Sequence, residues 1–388
     1  MASYEAPCIG AAFILRAVHK IALSYALGTA PPAGAPLRNP LMDLLHAVRE
    51  SGSISAAAKA VGLSYRHVWG ELKRWEKALG QPLIVWDKGQ PARLTEFGDK
   101  LLWAERQAQA RLAPQIEALH ADLERVFAIA FDDTAHVLTL YASHDEALVA
   151  LRDQAARARL HLDIRFTGSV DAIAALNEGR CAIAGFHTPP CPAPGTPAQR
   201  TYQPLLQPGR HKIIGFAQRV QGLAVAPGNP LALRRLADAA CKQVRFVQRE
   251  RGSGTRLLLE QLMAQEQIPA GALGAREPAE TSHAAVAQVI ASGHADTGLV
   301  IEAAARARGL DFVPLVTEDY YLACLKATLE QPPTLALREV LASEAWRQRL
   351  AGLPGYAPEH SGEVLSLSAR LPWWRFRAPA RDPRRRSS

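Results

Sequence analysis

The sequence predicts a chain in two parts: a helical head with a short hairpin, and a larger α/β body of two lobes. Three observations carry this expectation. Between residues 39 and 98, apolar residues recur at helical spacing in short segments separated by glycine and small polar residues. One long helical period follows, to about residue 130. From Val137 onward, runs of strand and helix alternate, the pattern that builds parallel sheets covered by helices. The expected divisions are an extension and linker at 1–36, the head with its long helix at 37–130, the body at 131–372 and a basic tail at 373–388.

The extension holds one weak amphipathic pattern and closes on Thr29-Ala-Pro-Pro-Ala-Gly-Ala-Pro36, a linker composition. Asn39-Pro40 then opens a helix, a cap residue followed by proline at the first helical position. Leu41, Leu44, Leu45 and Val48 form its inner face. In the next segment Ile54, Ala57, Ala58 and Val61 share one face, and four alanines in residues 54–60 let a neighbouring helix approach closely. Ser64 is a good N-cap for a third helix, with Val68, Leu72, Trp75 and Leu79 inward. Its opposite stripe carries Arg66, Gly70, Lys73 and Lys77, with Tyr65 and His67 at the leading end. An apolar back, a basic front and polar groups at the N-terminus suit a DNA major groove, where first-turn residues meet base edges and lysines meet phosphate. Leu83–Trp86 and Ala92–Leu94 read as two strands around a turn, with Lys88, Gln90 and Arg93 free to touch backbone or minor groove.

Thr95 is placed to cap the long helix. Along it Leu112, Ile116, Leu119, Leu123 and Val126 repeat at four and three residues, a short heptad seam fitted to a partner helix, and Pro114 is expected to kink or restart the helix. In the body, Val137–Ala142, Leu162–Phe166 and Cys181–Phe186 read as strands, and Ser143-His-Asp-Glu146 has the spacing of a capping box. A Pro/Gly-rich stretch from Pro189 to Gly209 interrupts. A second α/β unit begins around Gly222, with strands at Val244–Val247, Leu299–Ile301 and Leu310–Leu315, and helices from Arg256 and from Ser282-His283. Two such lobes joined by crossing strands enclose a cleft.

The turns between strand and helix are rich in small hydroxyls and glycine: Ser143, Thr188, Ser253, Gly254, Thr255 and Ser282. Several helix N-termini converging on one cleft make an anion site. The stretch Arg-Gly-Ser-Gly-Thr lacks the pattern of a Walker A loop. His144, His187 and His283 each neighbour one of these residues, yet no local spacing makes them a metal set, so no metal or cofactor is expected. No nucleophile–base–acid set emerges either, and the chain reads as a non-enzyme.

Composition narrows the partners. The 388 residues carry +8, but the segment from Arg370 holds seven arginines and one Asp, so it supplies +6 and the rest only +2. The basic balance therefore describes the tail rather than a generally basic surface. Five cysteines without a CxxC pair read as reduced thiols. No stretch reaches 18 apolar residues, and Arg16, His19 and Lys20 interrupt the apolar run near the start, so a cytoplasmic location is expected.

The stretch GSISAAAKAVGLSYRHVWGELKRWEKALGQPL, with LTEFG beyond the hairpin, resembles the winged helix-turn-helix of LysR-type regulators. The nearest likeness is the molybdate-responsive ModE branch, with its Ser-Tyr-x-x-x-Trp start. That resemblance implies double-stranded DNA as partner, dimerisation through the long helix, and contacts from Ser64, Tyr65, Arg66, His67, Lys73, Lys77, Lys88 and Arg93. Over about 230 residues ERGSGTR, SHAAVAQVIASGHADTGLVIEAAARARGLDFVPL and GYAPEHSGEVLSLSARLPWW look like the PBP-like domain related to periplasmic molybdate- and tungstate-binding proteins. This likeness implies a type II periplasmic-binding-protein pair of lobes and a tetrahedral oxyanion, molybdate or tungstate, held by Ser143, Ser253, Thr255 and Ser282. The alternatives are the same regulator with an organic metabolite as effector and a solute-binding protein of a transporter.

Overall fold

The computed structural model describes residues 39–86, 90–131 and 135–374. The N-terminal extension, Lys88 and the arginines of the tail from Arg375 onward lie outside these described residues.

The head forms as its caps dictate. In α1 (Pro40–Ser51) the Asn39 side chain accepts from the Leu41 N–H at 3.0 Å, and Gly52, at φ +59°, ends the helix. After α2 (Ile54–Ala60), α3 (Tyr65–Leu79) starts on Ser64, whose hydroxyl accepts from the His67 N–H at 3.2 Å. Val68 and Leu72 are buried against Leu41, Leu45, Val48 and Ala57, so the apolar back of α3 faces its neighbours. β1 (Ile84–Val85) pairs antiparallel with β2 (Arg93–Leu94), Ile84 opposite Leu94. Glu76 ties this hairpin to α3, its Oε1 accepting from the Leu83 N–H at 2.9 Å.

Thr95 caps α4 (Glu96–Phe131), accepting from the Gly98 N–H at 3.0 Å. The helix does not restart at Pro114; it runs unbroken through it. A helical proline leaves the carbonyl four residues earlier without its N–H, here that of Ala110. The Ser282 hydroxyl of the body donates to this carbonyl at 3.3 Å. Proline is tolerated because a second part of the chain supplies the missing donor. On the same side Ala110, Pro114 and Ala121 are buried. Of the seam, Ile116 and Leu123 are half-buried, while Leu112, Leu119 and Val126 stand exposed at 43%, 60% and 54%.

The body is one long mixed sheet bent into two lobes. In chain order it contains β3 (His136–Ala142), α5 (Glu146–Arg157), β4 (Leu160–Phe166), α6 (Ser169–Asn177), β5 (Ile183–Thr188) and α7 (Pro197–Tyr202). β6 (His211–Val225) then crosses to the second lobe, built from α8 (Leu236–Cys241), β7 (Phe246–Arg249), α9 (Gly254–Gln265), β8 (Ala275–Glu280), α10 (His283–Ala291), β9 (Thr297–Ile301) and α11 (Glu302–Arg306). β10 (Asp311–Leu325) returns, and α12 (Pro332–Ala342), α13 (Glu344–Ala351), β11 (Tyr356–Ala357), β12 (Val364–Leu365) and α14 (Leu367–Arg370) close the first lobe.

The strand order is β4-β3-β5-β10-β6-β9-β7-β8. β3, β4 and β5 are parallel in one lobe, β7, β8 and β9 in the other, and the antiparallel pair β6–β10 spans both. The carboxyl ends of each parallel set face the region between the lobes, where ligands bind in such sheets. Two sequence expectations shift. β6 and most of β10 go unread in the sequence, because Arg219, Gln221, Glu318 and Asp319 interrupt their apolar pattern while being buried. The helix expected from a capping box at Ser143 instead starts at Glu146, where Asp145 accepts from the Ala147 N–H at 2.8 Å. Trp373 packs into the first lobe, its Nε1 donating to the Pro192 carbonyl at 3.0 Å.

Candidate functional site

The first candidate surface is the exposed side of the head. Ser64, Tyr65, Arg66, His67, Lys73 and Lys77 all stand exposed on α3, as does Arg93 on β2; Lys88 lies outside the described residues. They are not equivalent. Lys73 donates to Glu76 Oε2 at 2.6 Å and sits 4.8 Å from the Trp69 ring centroid, so its charge is already engaged. Among the described residues Arg66 and Lys77 make no such pair. Two residues of the Ser-Tyr-x-x-x-Trp start lie beside them in an aromatic run: Tyr65 stacks on Trp69 at 6.4 Å, and exposed Trp86 meets Trp69 edge-on at 6.1 Å. That run covers the junction of α3 and the hairpin with rigid rings.

The second candidate is the cleft, and its floor is the crossing of β6 and β10. There Arg219 donates to Asp145, which precedes α5, and lies 3.3 Å from Glu318 Oε2 on β10. Glu318 also takes the Gln221 amide at 2.5 Å, and its Oε1 lies 2.8 Å from His187 Nδ1. Tyr356 donates to Asp145 Oδ1 at 2.8 Å. All are buried. Burial by itself raises a carboxyl, yet His187 and Arg219 outweigh it and hold Glu318 down at about 2. For Arg219, burial pushes down while Glu318 and Asp145 pull its ionisation above the ordinary value.

The lobes are shut over this floor. A Cβ on Gly254 would lie 2.6 Å from His187 Nε2, and one on Gly168 would lie 2.7 Å from the Gly252 carbonyl oxygen. Only hydrogen at these two positions allows so close an approach.

The six predicted hydroxyl and glycine positions all lie buried at the strand ends or helix starts, but they divide by what their atoms already do. Ser253 caps α9, accepting from Arg256 N–H at 3.3 Å and donating to the Glu250 carbonyl at 2.8 Å. Thr255 lies 3.3 Å from His283 Nε2 and 3.5 Å from the Gln221 amide. Ser282 caps α10, accepting from Ala285 N–H at 3.1 Å, and donates to Ala110. Ser143 and Thr188, at the ends of β3 and β5, keep hydroxyls without a protein partner. Ser169, buried at the start of α6, hydrogen-bonds Tyr202 instead.

The residue that changes the chemistry is Arg249, the last of β7. It is 4% exposed. Its Nε donates to the Glu280 carbonyl at 3.2 Å and its Nη2 to the Thr281 carbonyl at 2.8 Å, while Nη1 has no partner in the protein. Among the described residues it forms no ion pair. Burial pushes its ionisation down to about 10, against Glu250 and with Arg219. A buried cation without a counter-charge is costly unless an anion joins it. The only sequence signal was its place next to Glu-Arg-Gly-Ser-Gly-Thr at a strand end.

The three cleft histidines are neutral near pH 7: burial takes His144 down to about 4, lowers His187, and lowers His283 well below its usual range. Among the described residues no group of three or more His, Cys, Asp or Glu is arranged to hold a metal ion. No helix among them is long and apolar enough to cross a membrane.

Fold and geometry together define a class: a three-helix head with a short hairpin, joined by one long helix to a two-lobed α/β body. Comparison with known families agrees. Residues 41–99 match the model of the bacterial regulatory helix-turn-helix proteins of the lysR family, and residues 151–342 match the PBP superfamily domain. Among curated proteins, the chain is 31% identical to the uncharacterised YvgK of Bacillus subtilis over 207 residues, covering 52% of this chain and 64% of that one. It is 25% identical to the molybdenum-pterin-binding protein MopB of Rhodobacter capsulatus over 182 residues, covering 40% and 66%. The chain thus spans just under two thirds of the length of each. The solved structure of full-length LysG from Corynebacterium glutamicum aligns over 77% of this chain and 94% of its own, at 17% identity and a TM-score of 0.35.

The floor network yields a prediction. Glu318→Gln removes one carboxylate from a buried guanidinium and should cost about 3–5 kcal/mol of stability, read from urea unfolding. Because the Glu318 carboxyl ionises below its ordinary value in the folded chain, its contribution is complete at neutral pH and fades as pH falls from about 4.5 toward 2. The variant should therefore lose less stability than the wild type over that window.

Proposed function

We propose that this chain is a transcription regulator that binds double-stranded DNA through α3 and the β1–β2 hairpin, pairs as a homodimer along α4, and senses a small oxyanion in the cleft. Molybdate and tungstate are the oxyanions we favour. The single observation that carries the sensing half is Arg249 at the end of β7, a buried guanidinium with a free Nη1 and no ion pair among the described residues, with the unpartnered hydroxyls of Ser143 and Thr188 at the strand ends of the other lobe. The likeness to a molybdenum-pterin-binding protein supports the choice of metal oxyanion. The lysR-family helix-turn-helix supports DNA as the partner, and the exposed stripe Leu112, Leu119 and Val126 supports a second copy of α4 as its cover. A cytoplasmic, non-catalytic role follows from this reading. An organic acid is the second candidate effector, since a guanidinium pairs with a carboxylate equally well.

On DNA, Lys77→Ala should weaken binding to all sequences alike and lower the salt slope by about one, whereas Lys73→Ala should do so less because its charge is engaged by Glu76. Arg66→Ala should instead relax preference at one base position. Binding titrations across a salt series distinguish these, and equal slopes in all three variants would remove α3 from the interface.

Leu119→Glu with Val126→Glu should place like charges between two copies of α4 and yield monomers in sedimentation, with the unfolding midpoint of the chain little changed. A persistent dimer would place the contact elsewhere.

For the effector, calorimetric titration of the full chain with molybdate, tungstate, sulfate and a set of small carboxylates decides the class. Molybdate and tungstate should bind more tightly than sulfate. Ser143→Ala and Thr188→Ala should each weaken them about ten- to a hundredfold, the worth of one hydrogen bond to a charged ligand. Heat from a carboxylate alone would replace the oxyanion by an organic effector.

A further inference from the structure

We infer that the segment from Glu280 to His283 is the joint through which the cleft acts on the DNA-binding head, with Arg249 at its cleft end and Gln107, Ala110 and Arg111 of α4 at the other. The anion half of this inference rests on the function proposed above.

The four residues of this segment together carry bonds in both directions, and Glu280 alone carries both. On the cleft side, Arg249 holds two successive carbonyls, those of Glu280 and Thr281, at 3.2 and 2.8 Å. Its third nitrogen is the one without a protein partner. His283, the first residue of α10, is buried beside Thr255 with its Nδ1 also unpartnered. On the α4 side, the Glu280 carboxylate takes Arg111 through Nε at 3.0 Å and Nη2 at 2.7 Å, and the Gln107 amide at 3.2 Å. Ser282 supplies the donor that Pro114 withholds from Ala110. One stretch of backbone is therefore gripped by the cleft guanidinium and in turn grips two turns of α4.

The remainder of α10 extends the grip. His294, just beyond its end, stacks on Trp103 of α4 with centroids 4.3 Å apart. Both ends of α10 thus touch the helix that carries the head. An anion drawing on Arg249 Nη1 tightens or shifts the guanidinium, and the guanidinium cannot move without the carbonyls of Glu280 and Thr281. Packed elements pass such shifts on as rigid steps rather than absorbing them. Glu280 and Ser282 are positioning residues in this account, and neither spends its side chain on the ligand.

Two readouts on the full chain test the joint. In the first, with molybdate as probe and a DNA site selected by the chain in vitro, wild type should change its DNA affinity by about tenfold on adding molybdate, a typical coupling. Glu280→Gln should keep molybdate affinity within about threefold of wild type, yet its DNA affinity should respond to molybdate by less than about twofold. Arg111→Met, at a largely exposed position, should behave the same and guards against misfolding of the first variant. Full coupling in both variants would overturn the inference. The second readout needs no effector. Hydrogen exchange of Arg249→Lys should quicken at the amides of residues 107–118 by about tenfold, with α1 to α3 unchanged. Absence of heat with molybdate in wild type would sink the proposed effector alone. Unchanged exchange in α4 would sink the joint.

Discussion

A guanidinium shut away from water and held by backbone carbonyls, with no ion pair among the described residues, is the feature on which the body of this chain turns. Arg249 is fixed by two backbone carbonyls at the end of a central strand, so its orientation is set by the sheet and not by a flexible loop. Carbonyl dipoles solvate part of its charge and leave Nη1 without a partner. The hydroxyls of Ser143 and Thr188 lie at the strand ends of the opposing lobe, also uncommitted. In the proposed function, neutral donors from one lobe and a fixed cation from the other make a receptor that is complete only when the lobes are together.

Closure itself is built from different groups. Arg219 on the first crossing strand, Glu318 on the second and Asp145 at the head of a helix form a cluster of one cation and two carboxylates beneath the cleft. With one negative charge in excess, that cluster ties the crossing strands together and does not itself attract an anion. Above it, Gly254 against His187 and Gly168 against Gly252 let the lobes meet at backbone distance. The two guanidinium groups differ in how they are held: carboxylates hold that of the floor, and backbone carbonyls hold that of Arg249.

The sequence was most legible where local chemistry decides local structure. Asn39-Pro40, Ser64 and Thr95 cap the helices they were expected to cap, since a side-chain oxygen next to free N–H groups leaves little choice. The parallel strands of both lobes were readable from their continuous apolar runs. The crossing strands were not, because function has placed Arg219, Gln221, Glu318 and Asp319 inside them, and polar residues in a strand read as a loop until tertiary partners are seen. Ser282 shows the same limit from the other side. Its position at a helix start suggested a ligand donor, and only the fold reveals that Pro114, 168 residues earlier, leaves a carbonyl for it to meet. Lys73 looked like a phosphate contact by spacing, and a glutamate one turn on occupies it.

The central claim, that Arg249 makes the cleft an anion receptor, is tested most directly by thermal unfolding of wild type and Arg249→Met with rising molybdate. A ligand that binds only the folded chain raises its stability by RT ln(1 + [L]/Kd), roughly 2.7 kcal/mol at a hundredfold excess over Kd. Wild type should show that rise in its midpoint, and Arg249→Met should show none at the same concentrations. A midpoint that climbs equally in both proteins would mean that the guanidinium is not the anchor, and the account given for the cleft would be contradicted.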